Sequence, residues 1–242
     1  RNTCVLFGDG AGAVVVSASD ARCGVLATEL GSDGSGGDLL ILPAGGSRQP
    51  ASLETVSNGG HFIKMNGREV YRFATTVMPR AAQNVTRKAG WELEEVSLFV
   101  PHQANTRIIE SAAKRLSLPM DKFFVNLDRY GNTSAASIPI ALAEAVTAGR
   151  VHEGDKVVLV GFGAGLTWAA AAVEWGAPPP PTTKTWFGRL LARLGFVFAG
   201  LRSWVIRSER HAYNWAMGPV GKDDWRGRLR KRIDVWRHNL RQ

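Results

Sequence analysis

Three short stretches carry the side chains best suited to chemistry: PHQAN at 101–105, GNTSAAS at 131–137 and GFGAGLTW at 161–168. His102 brings an imidazole, which donates, accepts and titrates near neutrality. Asn132 brings a carboxamide, which donates and accepts without titrating. A lone histidine at a strand end is more often structural than catalytic, so His102 gains interest from its company. Loops at the carboxyl ends of strands in a covered sheet are where α/β proteins build sites, and three such loops can converge in space.

The elements that would position these loops are legible in the hydrophobic pattern. Glycine-punctuated strand candidates open the chain: TCVLFG and AGAVVVSA flank GDGAG, and GVLATEL follows. Residues 31–60 read as Gly/Ser-rich loops around a short apolar island, LLILP. From Asn66 the period changes. Val70, Phe73, Val77, Ala81 and Val85 recur at helical spacing, with Pro79 a possible kink. Then come a strand VSLFV, a helix TRIIESAAKRLS, a strand-like FFVNL, a turn DRYGNTS, a helix AASIPIALAEAVTAG, and closing strands KVVLVGFG and TWAAAAVEW. Helices alternating with apolar strands predict an α/β sheet covered on both faces. GAPPPPTT (176–183) is a stiff extended linker, because consecutive prolines favour polyproline II and lack ladder donors.

The formal net charge of +9 would ordinarily suggest an acidic partner, but its distribution says otherwise. Residues 1–176 carry 16 basic and 17 acidic side chains, and residues 177–242 carry 14 and 4, so the whole excess lies beyond the linker. Cys4 and Cys23 give neither a disulfide framework nor metal-ligand spacing, which points to a reducing interior. Neither opens a helix after small residues, the setting that lowers a thiol pKa, so neither is expected to be a nucleophile. The start, RNTCVLFGDG, has no initiating Met and no signal pattern; it reads like mid-protein sequence, and an earlier half is expected. FGDGAG could cradle a phosphate, but VVV follows where a helix should start, so a tight crossing of chain is the better reading.

The three site stretches, with FGDGAGAVVV (7–16) before them, resemble the C-terminal half of β-ketoacyl-acyl-carrier-protein synthase III, a condensing enzyme of the thiolase-like superfamily. The resemblance covers residues 1–175. Thiolases carry a second catalytic cysteine in this half, absent here, and elongating synthases use two histidines where this group uses His and Asn. The implied fold is the C-terminal half of a thiolase-like α/β protein, a mixed sheet covered by helices. The implied activity is decarboxylative condensation of malonyl-acyl-carrier-protein with an acyl-CoA starter, without a cofactor. The resemblance assigns His102 and Asn132 to stabilising the enolate left by decarboxylation, and the backbone N–H of Ala164 to the acyl oxyanion hole, provided that φ there is not strongly positive. It assigns Gln103, Ala104, Asn105, Thr106 and Arg107 to the contact with carrier protein or coenzyme A, together with Phe162, Lys114 and Arg115. On a helix, Lys114 and Arg115 read equally as a solvated face. A homodimer in the cytoplasm is implied as well. The nucleophilic cysteine of the family is missing, so this chain alone is not expected to condense anything.

The resemblance is silent on the basic tail, residues 184–242, which holds five of the eight tryptophans. One helical stripe runs through Phe187, Leu190, Leu191, Leu194, Val197, Phe198, Leu201 and Val205, and another through Trp225, Leu229, Ile233, Trp236 and Leu240. In the first of these segments only residues 194–201 run without charge, far short of the roughly 20 apolar residues that cross a bilayer. Three readings stand: an amphipathic helix on an anionic membrane surface, packing against the domain or its dimer mate, and nucleic-acid binding. A wider alternative is a non-catalytic remnant that keeps a carrier-protein surface and uses its tail for membranes or another subunit.

Overall fold

The computed structural model describes Thr3, residues 5–18 and 23–176, and five helical positions in the tail: Arg202, Trp204, Val205, Ser208 and Glu209. The chain divides into two compact units, Arg1–Pro179 and Pro180–Gln242. Residues 177–183 of the linker and the two tail stripes lie, apart from Val205, outside the described residues.

The elements run β1 (Gly24–Ser32), β2 (Leu40–Ile41), α1 (Leu53–Ser57), β3 (Lys64–Met65), α2 (Gly67–Lys88), β4 (Leu98–Pro101), α3 (Thr106–Leu116), α4 (Leu127–Tyr130), α5 (Ser137–Thr147), β5 (Lys156–Gly163) and β6 (Thr167–Glu174). The main sheet has the order β1-β6-β5-β4; β4 and β5 are parallel, and the other two pairs antiparallel. This mixture follows from the connections. Two parallel strands need a long crossover, supplied here by α3 to α5, whereas β5 returns directly into β6 through Ala164–Leu166. Gly165 takes φ +135 in that return, and a Cβ there would stand 2.6 Å from Thr167 Cγ2, so the turn requires glycine.

Alternation along β4 divides the core. Phe99 joins α2, α3 and Val158 and Val160 of β5 on one face, while Leu98 and Val100 join Ala141, Leu142 and Ala145 of α5 on the other. Phe99 stacks on Phe123 with ring centroids 4.9 Å apart. Helix α2 begins at the predicted Asn66, whose Oδ1 accepts from the Glu69 N–H. It buries Val70, Val77, Ala81 and Val85 as the stripe requires and continues through Pro79.

Three strand expectations fail. FFVNL makes a single bridge, Phe99 to Phe123, and then turns into α4, because Asn126 uses its N–H and carboxamide on side chains rather than on a ladder. Neither TCVLFG nor AGAVVVSA forms a strand; among the described residues no strand lies beside them, and Val15 is 97% exposed. Among the described residues there, the sheet-like contact is a parallel bridge from Phe7 to Asn132. The glycines of FGDGAG do serve a chain crossing. An added Cβ at Gly8 would sit 2.4 Å from the Tyr130 carbonyl oxygen, and one at Gly12 would sit 2.5 Å from Pro139. Sheet coverage is also less complete than expected: α5 covers only the β4–β5 side of the second face, and Leu30 on β1 is 81% exposed.

Candidate active site

His102 follows β4 directly, with its own N–H donating to the Val160 carbonyl at 2.8 Å, so the parallel β4–β5 ladder fixes its backbone. Its Nδ1 lies 2.6 Å from Ser137 Oγ, the first residue of α5 and five residues beyond Asn132. The PHQAN and GNTSAAS loops therefore meet. Ser137 Oγ also accepts from the Gln103 N–H at 3.3 Å. Ser137 keeps a hydroxyl hydrogen and a second lone pair for Nδ1; when the hydroxyl donates, the imidazole proton sits on Nε2. The third loop arrives through Phe162, whose ring stands edge-on to the imidazole at 5.3 Å, and Gly161, whose Cβ would lie 3.7 Å from His102 Cβ.

Burial pushes the His102 pKa from the usual 6.5 down to about 4. The ring is thus a neutral N–H donor at physiological pH. The linkage sign follows: between these values the unfolded chain binds the proton and the folded chain does not. The contribution of about 3 kcal/mol is complete above pH 6.5 and is lost as pH falls towards 4. A step that used His102 as a neutral donor would keep a flat rate from about pH 8 down to about pH 5. A limb with its midpoint near 6.5 in single-turnover measurements would contradict a neutral buried donor.

Asn132 is held at both ends. Its carbonyl accepts from the Gly8 N–H at 2.8 Å, and its Oδ1 accepts from the Ser134 N–H at 2.9 Å. Ser134 takes φ 53 to deliver that bond, a left-handed conformation that serine rarely adopts. With Oδ1 engaged, Nδ2 is the free end. Neither His102 Nε2 nor Asn132 Nδ2 has a hydrogen-bond partner among the described residues, and neither is a buried orphan. Asn132 Nδ2 and, in the Nε2–H tautomer, His102 Nε2 are thus available as donors to a ligand.

Ala164 sits in the β5–β6 return, its carbonyl accepting from Thr167 Oγ1 at 3.0 Å. Among the described non-glycine residues only Ser117 and Ser134 have positive φ, so Ala164 meets the condition set on its backbone. Asn105 caps α3, Oδ1 accepting from the Arg107 N–H at 2.9 Å. Arg107, Lys114 and Arg115 are exposed on α3 and make no ion pair among the described residues. Ala104 and Thr106 are half-buried beside them.

Gln103 behaves differently from a surface contact. It is 1% exposed; Nε2 donates to the Pro101 and Phe124 carbonyls at 2.8 and 3.0 Å, and Oε1 accepts from the Asn126 N–H at 3.1 Å. A carboxamide spent on three backbone groups has nothing to offer a docking partner; it ties the His102 loop to the 124–126 segment. Composition and period gave no signal for this use, nor for Ser137 or Glu144. The available hint for Glu144 was its position as the one acidic residue in the apolar run IPIALAEAV.

An open cleft of about 610 Å³ lies elsewhere, between the end of β1 and α2, lined by Asp33, Arg72, Phe73, Arg80 and Trp168 among others. It includes neither His102 nor Asn132, so the site is defined by donor geometry rather than by concavity. Among the described residues, no cluster of His, Cys, Asp or Glu has the makings of a metal site, and no helix is long and apolar enough to cross a membrane.

Comparison with known proteins agrees with these loops. The 3-oxoacyl-[acyl-carrier-protein] synthase III C-terminal family matches residues 86–175, and the 3-oxoacyl-[acyl-carrier-protein] synthase III family matches residues 1–34. A β-ketoacyl-[acyl-carrier-protein] synthase III of Symbiobacterium thermophilum is 57% identical over 176 residues, 73% of this chain and 53% of that protein. One from Caldanaerobacter subterraneus is 55% identical over 175 residues, 72% of this chain and 53% of that protein. The solved 3-oxoacyl-[acyl-carrier-protein] synthase III of Aquifex aeolicus is 46% identical, with a TM-score of 0.63, over 72% of this chain and 52% of that one. That of Pseudomonas aeruginosa is 42% identical, with a TM-score of 0.65, over 74% and 54%. The chain spans about half the length of the relatives it matches. Through residues 1–175 it belongs to the β-ketoacyl-acyl-carrier-protein synthase III family of thiolase-like condensing enzymes, carrying the C-terminal half of that fold.

Proposed function

We propose that this chain supplies the decarboxylation machinery of a condensing enzyme that joins an acyl-CoA starter to malonyl-acyl-carrier-protein, initiating fatty acid synthesis. The supporting observation is the pair of unspent N–H donors, His102 Nε2 and Asn132 Nδ2, on loops joined through Ser137. In the proposed step the bond between the malonyl methylene and its carboxylate breaks. Carbon dioxide leaves, and the electron pair passes into an enolate whose charge rests on the thioester oxygen. The two donors stabilise that oxygen, an effect worth about 3–4 kcal/mol of barrier per donor in comparable holes. The enolate carbon then attacks the acyl carbon held on a cysteine sulfur. The Ala164 N–H faces the oxyanion so formed, and collapse expels the thiolate. Neutral imidazole and carboxamide suit this work because neither needs to gain or lose a proton.

The acyl-bearing cysteine is assigned to a complementing N-terminal half, for which the Symbiobacterium relative provides a source. The assembled enzyme below means this chain together with such a half. The exposed cations Arg107 and Lys114, two helical turns apart on α3, are the proposed contact for the acidic carrier and its phosphopantetheine phosphate, with Asn105, Thr106 and Arg115 beside them. Association into a homodimer and a cytoplasmic setting belong to the same reading.

The test is complementation. Carbon dioxide released from malonyl-acyl-carrier-protein is measured with the N-terminal half alone, this chain alone, and both. Release is expected only with both. Equal release by the N-terminal half alone would end the reading.

A further inference from the structure

Asn132 follows a one-turn helix, α4, and a four-residue helix has no cooperative stability of its own. What fixes it is a carboxylate on α5. Glu144 accepts from Asn126 Nδ2 at 2.8 Å, from Arg129 Nη1 and Nη2 at 3.1 and 2.8 Å, and from Tyr130 Oη at 2.5 Å. Those four bonds fill the acceptor capacity of a carboxylate. They also cover α4 from the residue before it to its last residue. The Tyr130 and Asn126 hydrogen bonds and the Arg129 charge hold the Glu144 pKa below the usual range, so the group is an anion wherever the enzyme works.

A solvent-exposed ion pair would need only Arg129. Here Asn126, 2% exposed, donates its side chain to Glu144 and its backbone N–H to Gln103, so the same node reaches the His102 loop. Gly131 is the single residue between Tyr130 and Asn132. Beyond it the asparagine is tied by the Gly8 and Ser134 N–H groups. The 126–131 segment leads into the asparagine, and Glu144 holds Asn126, Arg129 and Tyr130 within it.

We propose that Glu144 is the positioning residue for Asn132, aiming its Nδ2 through Asn126, Arg129 and Tyr130 without touching substrate. This rests on the role proposed above for Asn132. The experiment compares Glu144→Ala, Glu144→Gln and Tyr130→Phe in the assembled enzyme, reading malonyl decarboxylation and acyl transfer separately, with Asn132→Ala as the control. Glu144→Ala is expected to lower the decarboxylation kcat by about ten- to a hundredfold and leave acyl transfer within about twofold, since misplacing one donor affects one step. Glu144→Gln leaves one accepting oxygen for four donors and turns an amide N–H2 towards the others, so its decarboxylation rate is expected to fall between the parent and Glu144→Ala. Tyr130→Phe, which removes one donor and leaves the packing, covers the case in which Glu144→Ala fails to fold; it should slow decarboxylation alone.

Unchanged decarboxylation in Glu144→Ala, or in Tyr130→Phe where the alanine variant fails to fold, would overturn the inference. So would a proportional fall in both half-reactions, if Asn132→Ala slows decarboxylation selectively as expected. An Asn132→Ala variant that decarboxylates normally would instead overturn the role of Asn132 itself.

Discussion

Replacing His102 or Asn132 by alanine in the assembled enzyme is expected to slow malonyl decarboxylation by about 10²–10³-fold while acyl transfer to the cysteine stays within a few-fold. The division follows from where the donors point. His102 Nε2 and Asn132 Nδ2 are the ends left over after Ser137 and the Ser134 N–H have engaged the other side of each group. Charge develops on the malonyl thioester oxygen only in the decarboxylation step. On the proposed reading, acyl transfer would rely instead on the cysteine of the other half and on main-chain donors such as the Ala164 N–H, which neither substitution removes. Because the two donors act on one oxygen, the double variant should be little worse than the weaker single one. Single-turnover release of carbon dioxide and thioester labelling of the cysteine measure the two halves independently. Equal loss of both would refute the division of labour.

The second large effect concerns stability. Gln103→Leu in the full chain is expected to cost on the order of 3–6 kcal/mol, because it strands two buried carbonyls and a buried N–H, each worth about 1–3 kcal/mol when unpaired. Pro101 supplies one of those groups at the start of the His102 loop, and Phe124 and Asn126 supply the others in the segment that leads into α4. Urea denaturation should show a lower midpoint with little change in slope. A carrier-contact role for Gln103 predicts the reverse, an unchanged midpoint and a raised KM for the carrier protein.

The contrast between these residues shows what the sequence could disclose. His102, Asn132 and the glycine-rich return stood out because unusual residue types sat at the ends of apolar runs. The period of α2 and α3 was equally plain, and both helices bury the stripe their spacing defines. Gln103 was misjudged because a glutamine beside a catalytic motif looks like a surface group; only the fold reveals that Phe124 and Asn126, more than twenty residues on, surround it. Ser137 and Glu144 were missed for the same reason, since their partners are 35 and 14 to 18 residues away. Strands also depend on neighbours. AGAVVVSA has every local attribute of a strand, yet Val15 stands in solvent because no partner strand is paired with it among the described residues.

The most direct measurement is a crystal structure of the assembled enzyme with a non-decarboxylating malonyl thioester analogue bound. The account predicts His102 Nε2 and Asn132 Nδ2 both within about 3 Å of the one thioester oxygen. Finding the imidazole and the carboxamide on different ligand atoms, or turned into separate cavities, would contradict it.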